Sequence, residues 1–243
     1  MSIQYQGLSG ELLDVRNFPS VLIELEGFVE GIYDDGGHIA TIGIGTNIQD
    51  VRAYLALTLK EFGVFTIIIN ETDAQRNERY NEIIKGFRDI IAAPENRLNR
   101  DIIEYPIPGT SPSEQALQAK LDAELDKYIP GKKFELTQDN AINIVRQIVN
   151  GFEIAPDTDK FDGKDNTFLK TEGIAEALDI RLKEYEVAIN HNTKEYAALL
   201  SLQFNSKAGT THLIGNGLRQ ALKDGNRAEA WYEIINRGQT PIN

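Results

Sequence analysis

The chain has 243 residues, 41% of them hydrophobic and 26% charged, which is ordinary globular material for one large domain or two small ones. It carries no cysteine, so it has no disulfide framework and its folding does not depend on redox compartment. A formal charge of −12 argues against a nucleic-acid partner, which would want a basic face, and withholds electrostatic steering towards any anionic surface.

Residues 1–16 show no strong period and read as an N-terminal extension. Pro19 suits a first helical turn, and Val21, Leu22, Leu25 and Phe28 recur at helical spacing. Gly27 and Gly31 weaken that helix and place its end near Glu26. Gly31–Gly45 reads as a hairpin, with Asp34-Asp35-Gly36-Gly37 as its turn and His38–Ile44 as a strand rich in β-branched residues. Helices are expected over 52–62 and 73–91. The apolar run 64–69 fits a strand or a buried helix, and is far too short to span a bilayer. Pro106, Pro108, Gly109 and Pro112 mark an irregular connection. Ser113–Tyr128 returns to helix formers, with Ser113 or Ser111 as the cap, and Thr137 starts a helix through Val149. A polar stretch, Ala155–Asn166, interrupts the pattern. Helices resume at about 173–191, 194–205, 214–224 and 227–236, with Gly225 as a natural stop between the last two. No internal repeat is evident.

Three side chains in the first part of the chain suggest a chemistry. Glu26 closes the first helix, Asp35 stands in the Gly-rich turn nine residues later, and Thr41 opens the strand that follows. Splitting a glycosidic bond requires one carboxyl to protonate the leaving oxygen and a second to handle water or the sugar cation. Glu26 is the candidate acid; it would need a raised pKa, for which Leu22, Leu25 and Phe28 could supply apolar walls. Plainer readings exist for each residue. Glu26 would be a solvated helix end, Asp35 a residue that merely shapes the turn, and Thr41 a strand former.

The spacing Glu26-Gly27-(x5)-Tyr33-x-Asp35-(x5)-Thr41-Ile42-Gly43-x-Gly45 resembles the signature of phage-type lysozymes, glycoside hydrolase family 24. Two departures stand out: the family usually has glycine where His38 stands, and often histidine where Thr46 stands, so the turn would be shaped differently and one structural polar pair would be missing. Further matches follow in order, from Leu121-Asp122 to Tyr128, at Leu136-Thr137, from Ala197 to Asn205, at Asn216-Gly217-Leu218-Arg219, and at Gln239-Thr240-Pro241, the last resembling the T-even phage enzymes. Together they cover roughly 150 residues. The rest falls in insertions at 48–113 and 150–174, and family members continue through further helices where this chain ends.

The resemblance implies a mainly helical α+β fold: a single lysozyme-like domain with the catalytic helix and hairpin at 17–47, core helices at 114–149 and a helical lobe at 175–243. It implies a muramidase that cleaves the β-1,4 bond between N-acetylmuramic acid and N-acetylglucosamine in peptidoglycan without a cofactor. Glu26 would be the general acid, and Asp35 with Thr41 would hold the attacking water. The reaction would invert the anomeric centre, which asks for carboxyls about 6.5–9.5 Å apart. Tyr33 would pack behind the hairpin beside the substrate, and Phe204 and Asn205 would line the far wall of the cleft, Asn205 suiting an acetamido sugar. Trp231 and Tyr232 read as core rather than as a sugar platform.

His38, His191 and His212 are too scattered for zinc. The acidic stretch Asp157, Asp159, Asp162 and Asp165 departs from the EF-hand register and reads as a solvated loop rather than a calcium site. With no signal peptide recognisable, the expectation is a protein made in the cytoplasm and delivered or released to the periplasmic wall. Two settings fit: an antibacterial effector with an immunity protein and a secretion component as partners, or an endolysin released by a holin. Membrane insertion is not expected. The alternative in a different class is a lysozyme-fold module that binds glycan or a protein without cutting.

Overall fold

The computed structural model describes residues 18–66, 68–154, 170–191, 193–204 and 216–236. The fold is mainly helical α+β, as expected from the sequence. It divides into two compact units, one covering Pro19–Thr171 and the other Phe18 with the described residues from Glu172 onwards.

The larger unit opens with helix α1 (Phe18–Glu26) and continues into strand β1 (Val29–Asp34), then β2 (Ala40–Gly43) and β3 (Thr46–Asn47). The helix stops where glycine permits it. Gly27 takes φ +81°, and its N–H bonds Ile23 O at 2.9 Å. The strands form an antiparallel sheet in the order β1-β2-β3. The third strand was not expected from the sequence; two residues are too short to carry a period.

Helices α2 (Arg52–Phe62), α3 (Asp73–Ala92), α4 (Pro112–Asp126) and α5 (Gln138–Asn150) follow, close to the expected spans. Polar caps set three of their starts. Thr72 and Gln75 form a reciprocal capping box on α3, Ser111 and Glu114 do the same on α4, and Thr137 caps α5. Ser111, not Ser113, is therefore the cap of α4. The described residues of the run 64–69 form neither strand nor helix. They are irregular, with Ile68 and Ile69 exposed. Gly63, at φ +85°, ends α2 and turns the chain away. The core of the unit holds an aromatic cluster in which Phe134, fully buried, lies 4.8 Å from Phe62 and 5.6 Å from Phe87 between ring centroids. A second, two-stranded sheet pairs β4 (Gly151–Glu153) with β5 (Lys170–Glu172). The acidic stretch 157–165 lies outside the described residues.

The second unit contains α6 (Ile174–Glu184), α7 (Lys194–Phe204), α8 (Asn216–Lys223) and α9 (Arg227–Asn236). Helix α6 ends seven residues before the expected 191, because the chain turns at Glu186, which adopts φ +56°. Tyr196 is buried beneath the α6–α7 packing. Its hydroxyl donates to Asp179 Oδ1 at 3.0 Å, and its ring stacks on His191 at 4.3 Å. Helices α8 and α9 meet closely at Gly217, where an added Cβ would fall 2.6 Å from the Glu233 carboxyl carbon. The expectation that Tyr232 is core is corrected: it is half exposed, while its helix buries Ala230 and Glu233 instead. The side chain of Trp231 lies outside the described residues.

Candidate functional site

The sheet sorts the residues of the hairpin onto two faces. Cross-strand partners in an antiparallel pair point the same way. Tyr33 lies opposite Thr41, and Thr41 opposite Asn47, so these three share one face. Ile32, Ile42 and Thr46 make the corresponding row on the other. A bulge between Val29 and Ile32 bends the path from the end of α1 to the turn.

The turn divides its two aspartates by role. Asp34 is 1% exposed and its carboxylate collects donors. Oδ1 accepts Gly36 N at 2.9 Å and His38 N at 2.8 Å; Oδ2 accepts Arg100 N at 3.3 Å and lies 3.3 Å from His38 Nδ1. Burial alone would raise the Asp34 carboxyl. The N–H groups of Gly36, Arg100 and His38, with the His38 ring, outweigh it and hold the carboxyl below the ordinary carboxylate value. Asp35 is exposed, and among the described residues its one donor is Gly37 N, at 2.8 Å to Oδ1. Its own N–H bonds Ile39 O at 3.4 Å. Asp35 thus keeps a turn-shaping bond, as the plainer reading expects, yet leaves Oδ2 open to solvent among the described residues.

His38 stands at a strained point of the turn. It adopts φ +62°, the left-handed region that glycine enters without a steric cost. Its ring and N–H to Asp34 offset that cost. At Thr46, Oγ1 is buried and has no hydrogen-bond partner among the described residues.

The other expected site residues are placed as follows. Glu26 is the last residue of α1; its side chain lies outside the described residues. Of the walls expected around it, Leu22 is fully buried and Phe28 half-buried. Thr41 is 2% exposed, and its hydroxyl donates to Ile39 O at 3.3 Å. Tyr33 has a structural task, since its hydroxyl accepts Gly45 N at 3.1 Å and ties the two ends of the hairpin. In the second unit, Phe204 is buried and packs edge-on against Phe18, with ring centroids 6.3 Å apart. Asn205 lies outside the described residues. The structure therefore brings Tyr33, Asp35 and Thr41 together on one hairpin.

Side chains from far along the chain, missed in the sequence reading, hold that hairpin from behind. Strand β1 is a sheet edge, and helix α4 covers it. Gln118 Oε1 accepts Ile32 N at 2.8 Å, and Glu114 Oε1 accepts Asp34 N at 2.8 Å. The other main-chain polarity is met by Leu136 N, which donates to Glu30 O at 2.8 Å. Glu114 and Gln118 stand one helical turn apart, matching alternate N–H groups of the strand. Glu114 is fully buried; its Oε2 accepts Ser111 N at 2.8 Å, and Arg100 Nη1 lies 3.9 Å from its Oε1. The one sequence signal for Glu114 is its position three residues after Ser111, a capping-box spacing.

Among the described residues, no three side chains of metal-ligating type cluster together, and no helix is long and apolar enough to cross a membrane. No family model, no curated protein and no solved structure matches the chain. The functional reading therefore rests on the residues and geometry of 26–45.

Proposed function

We propose that this protein is a peptidoglycan hydrolase that cleaves the β-1,4 bond between N-acetylmuramic acid and N-acetylglucosamine with inversion. Glu26 protonates the leaving glycosidic oxygen. Asp35 takes a proton from water on the opposite face of the sugar, and Thr41 helps orient that water. The water oxygen bonds to the anomeric carbon as the glycosidic C–O bond breaks, the leaving oxygen keeps the Glu26 proton and the water proton ends on Asp35, so no cofactor enters.

The observation that carries the reading is the split between neighbouring aspartates. Asp34 takes the structural load of the turn, and Asp35 stays exposed with an open oxygen. A turn that needed only shaping is already served by Asp34. Loss of turbidity of purified peptidoglycan, with Glu26→Gln as control, tests it: wild type should clear the wall and the variant should not.

One observation favours a second reading, a glycan-binding module that does not cut. The Thr41 hydroxyl is buried and committed to Ile39 O, which weakens its claim on a catalytic water. Saccharide binding without release of reducing ends would support that alternative. The acidic chain is repelled by anionic wall polymers, so delivery as an effector, with an immunity protein as partner, fits better than unaided diffusion of an endolysin.

A further inference from the structure

Asp34 does more than close a turn. Each of its oxygens has two contacts, and Oδ2 is shared between the His38 ring in the turn and a residue outside it. Oδ1 serves the turn itself, through Gly36 N and His38 N. Oδ2 reaches out of the hairpin to Arg100 N, 66 residues away in sequence. The Asp34 N–H is in turn held by buried Glu114, which also fixes the start of α4 through Ser111 N. Arg100 brings a guanidinium that is nine-tenths buried beside Glu114. The residues between the 3-10 turn Pro94–Asn96 and α4 are therefore fastened to the hairpin at Arg100 and pass close to it again at Gly109, where an added Cβ would lie 3.5 Å from Ile32 O. This stretch belongs to what the sequence presents as an insertion.

We infer that Asp34 is a positioning residue for the neighbouring Asp35, anchored through Arg100 and Glu114, so that the 97–114 segment is part of the working site rather than an ornament on it. The inference rests on the proposed role of Asp35. The mechanical argument is short. Asp34 and Asp35 share a peptide bond, and the glycine at residue 37 leaves room beside the Asp35 carboxylate: a Cβ there would lie 3.2 Å from Oδ1, and the carboxylate would have to shift by a few tenths of an ångström. A carboxylate on an exposed turn would otherwise sample several rotamers. Fixing the residue before it from both its main chain and its side chain removes much of that freedom. Positional error matters steeply in such sites, since a displacement of about 1 Å can cost on the order of a hundredfold in rate.

Asp34→Asn in the full chain separates the two jobs. The amide keeps Oδ1 for Gly36 and His38, but sets an NH2 group against the Arg100 N–H, donor to donor. On purified peptidoglycan, kcat should fall about tenfold to a hundredfold while KM stays within about twofold, at a temperature where circular dichroism shows the chain folded. A merely structural Asp34 would lower the melting temperature and leave kcat of the folded protein unchanged, and that result overturns the inference. Should Asp34→Asn not fold, Asp34→Ser keeps a turn-closing acceptor and removes the second oxygen; the same kcat and KM outcomes decide. Should the wild type hydrolyse nothing, the hydrolase reading fails by itself. The inference is then decided by the amide of Gly37, which donates to Asp35 Oδ1: faster hydrogen exchange and a shifted resonance in Asp34→Asn support positioning, and an unchanged amide refutes it.

Discussion

Glu114 Oε1 accepts the N–H of Asp34 at 2.8 Å, joining two buried acids that lie 80 residues apart in sequence. No repulsion is implied, because the contact is from carboxylate to main-chain N–H. The consequence is that a helix starting at Pro112 dictates where a turn ending at residue 37 can sit.

Removing Glu114 should unfasten that turn. Glu114→Ala leaves Asp34 N and Ser111 N buried without acceptors and takes the counter-charge from Arg100. The expected cost is about 3 kcal/mol, from two orphaned donors and a broken buried ion pair. Urea unfolding followed by the hairpin amide signals measures it, and a loss below about 1 kcal/mol would show that the helix start and the turn are not coupled as described.

Acid should weaken the same region through Asp34. Its carboxyl is held below its ordinary value of 3.8 because three main-chain N–H groups and the His38 ring outweigh burial. A lowered folded value means the unfolded chain binds the proton more tightly. The carboxylate therefore adds stability above the ordinary value, and loses it as pH falls through the lowered folded value. The stability gap between wild type and Asp34→Asn should be wide near neutral pH and should narrow below about pH 4. Unfolding curves of both proteins across that range test the sign; a gap that widens on acidification would contradict it.

His38→Gly sets two effects against each other. Glycine removes the steric cost of φ +62°, and loses a half-exposed ring contact to Asp34. Each is worth about 1 kcal/mol, so the net change should lie within roughly 0.5 kcal/mol of zero. A loss above about 1.5 kcal/mol would make the ring–carboxylate contact the dominant one.

Asn77, on α3, is fully buried, and neither its Oδ1 nor its Nδ2 has a hydrogen-bond partner among the described residues. Leucine has the same branched side-chain shape and no polar atoms to desolvate, although its two methyls are bulkier than the amide they replace. Asn77→Leu should stabilise the chain by about 1 kcal/mol, read from its urea midpoint. A destabilised variant would mean that the amide is satisfied in solution, for instance by buried water.

What could be read in the sequence was local. Helices α2 to α5 were legible because their caps and breaks are written within a turn of their ends: Gly63 after α2, Ser111 before α4, Thr137 before α5. The end of α1 at Glu26 followed from Gly27. Strand β3 and the β4–β5 pair escaped, since strands of two or three residues show no period and owe their existence to partners elsewhere. The run 64–69 misled for a related reason: apolar composition suggested burial, yet Ile68 and Ile69 face solvent. Asp35, Tyr33 and Thr41 were singled out by a resemblance in spacing, and their roles remain a proposal. The group that holds them could not be found that way. Arg100 and Glu114 meet Asp34 only through the fold, and within the sequence they read as an ordinary charge and a capping glutamate.

The central claim is that Glu26 and Asp35 cut glycan. Reducing-end release from purified peptidoglycan tests it most directly, with wild type, Glu26→Gln and Asp35→Asn compared at equal concentration and with folding verified for each. The account predicts steady release by the wild type and a fall of at least about a hundredfold in either variant. Equal release by all three proteins, or none by the folded wild type, would contradict it.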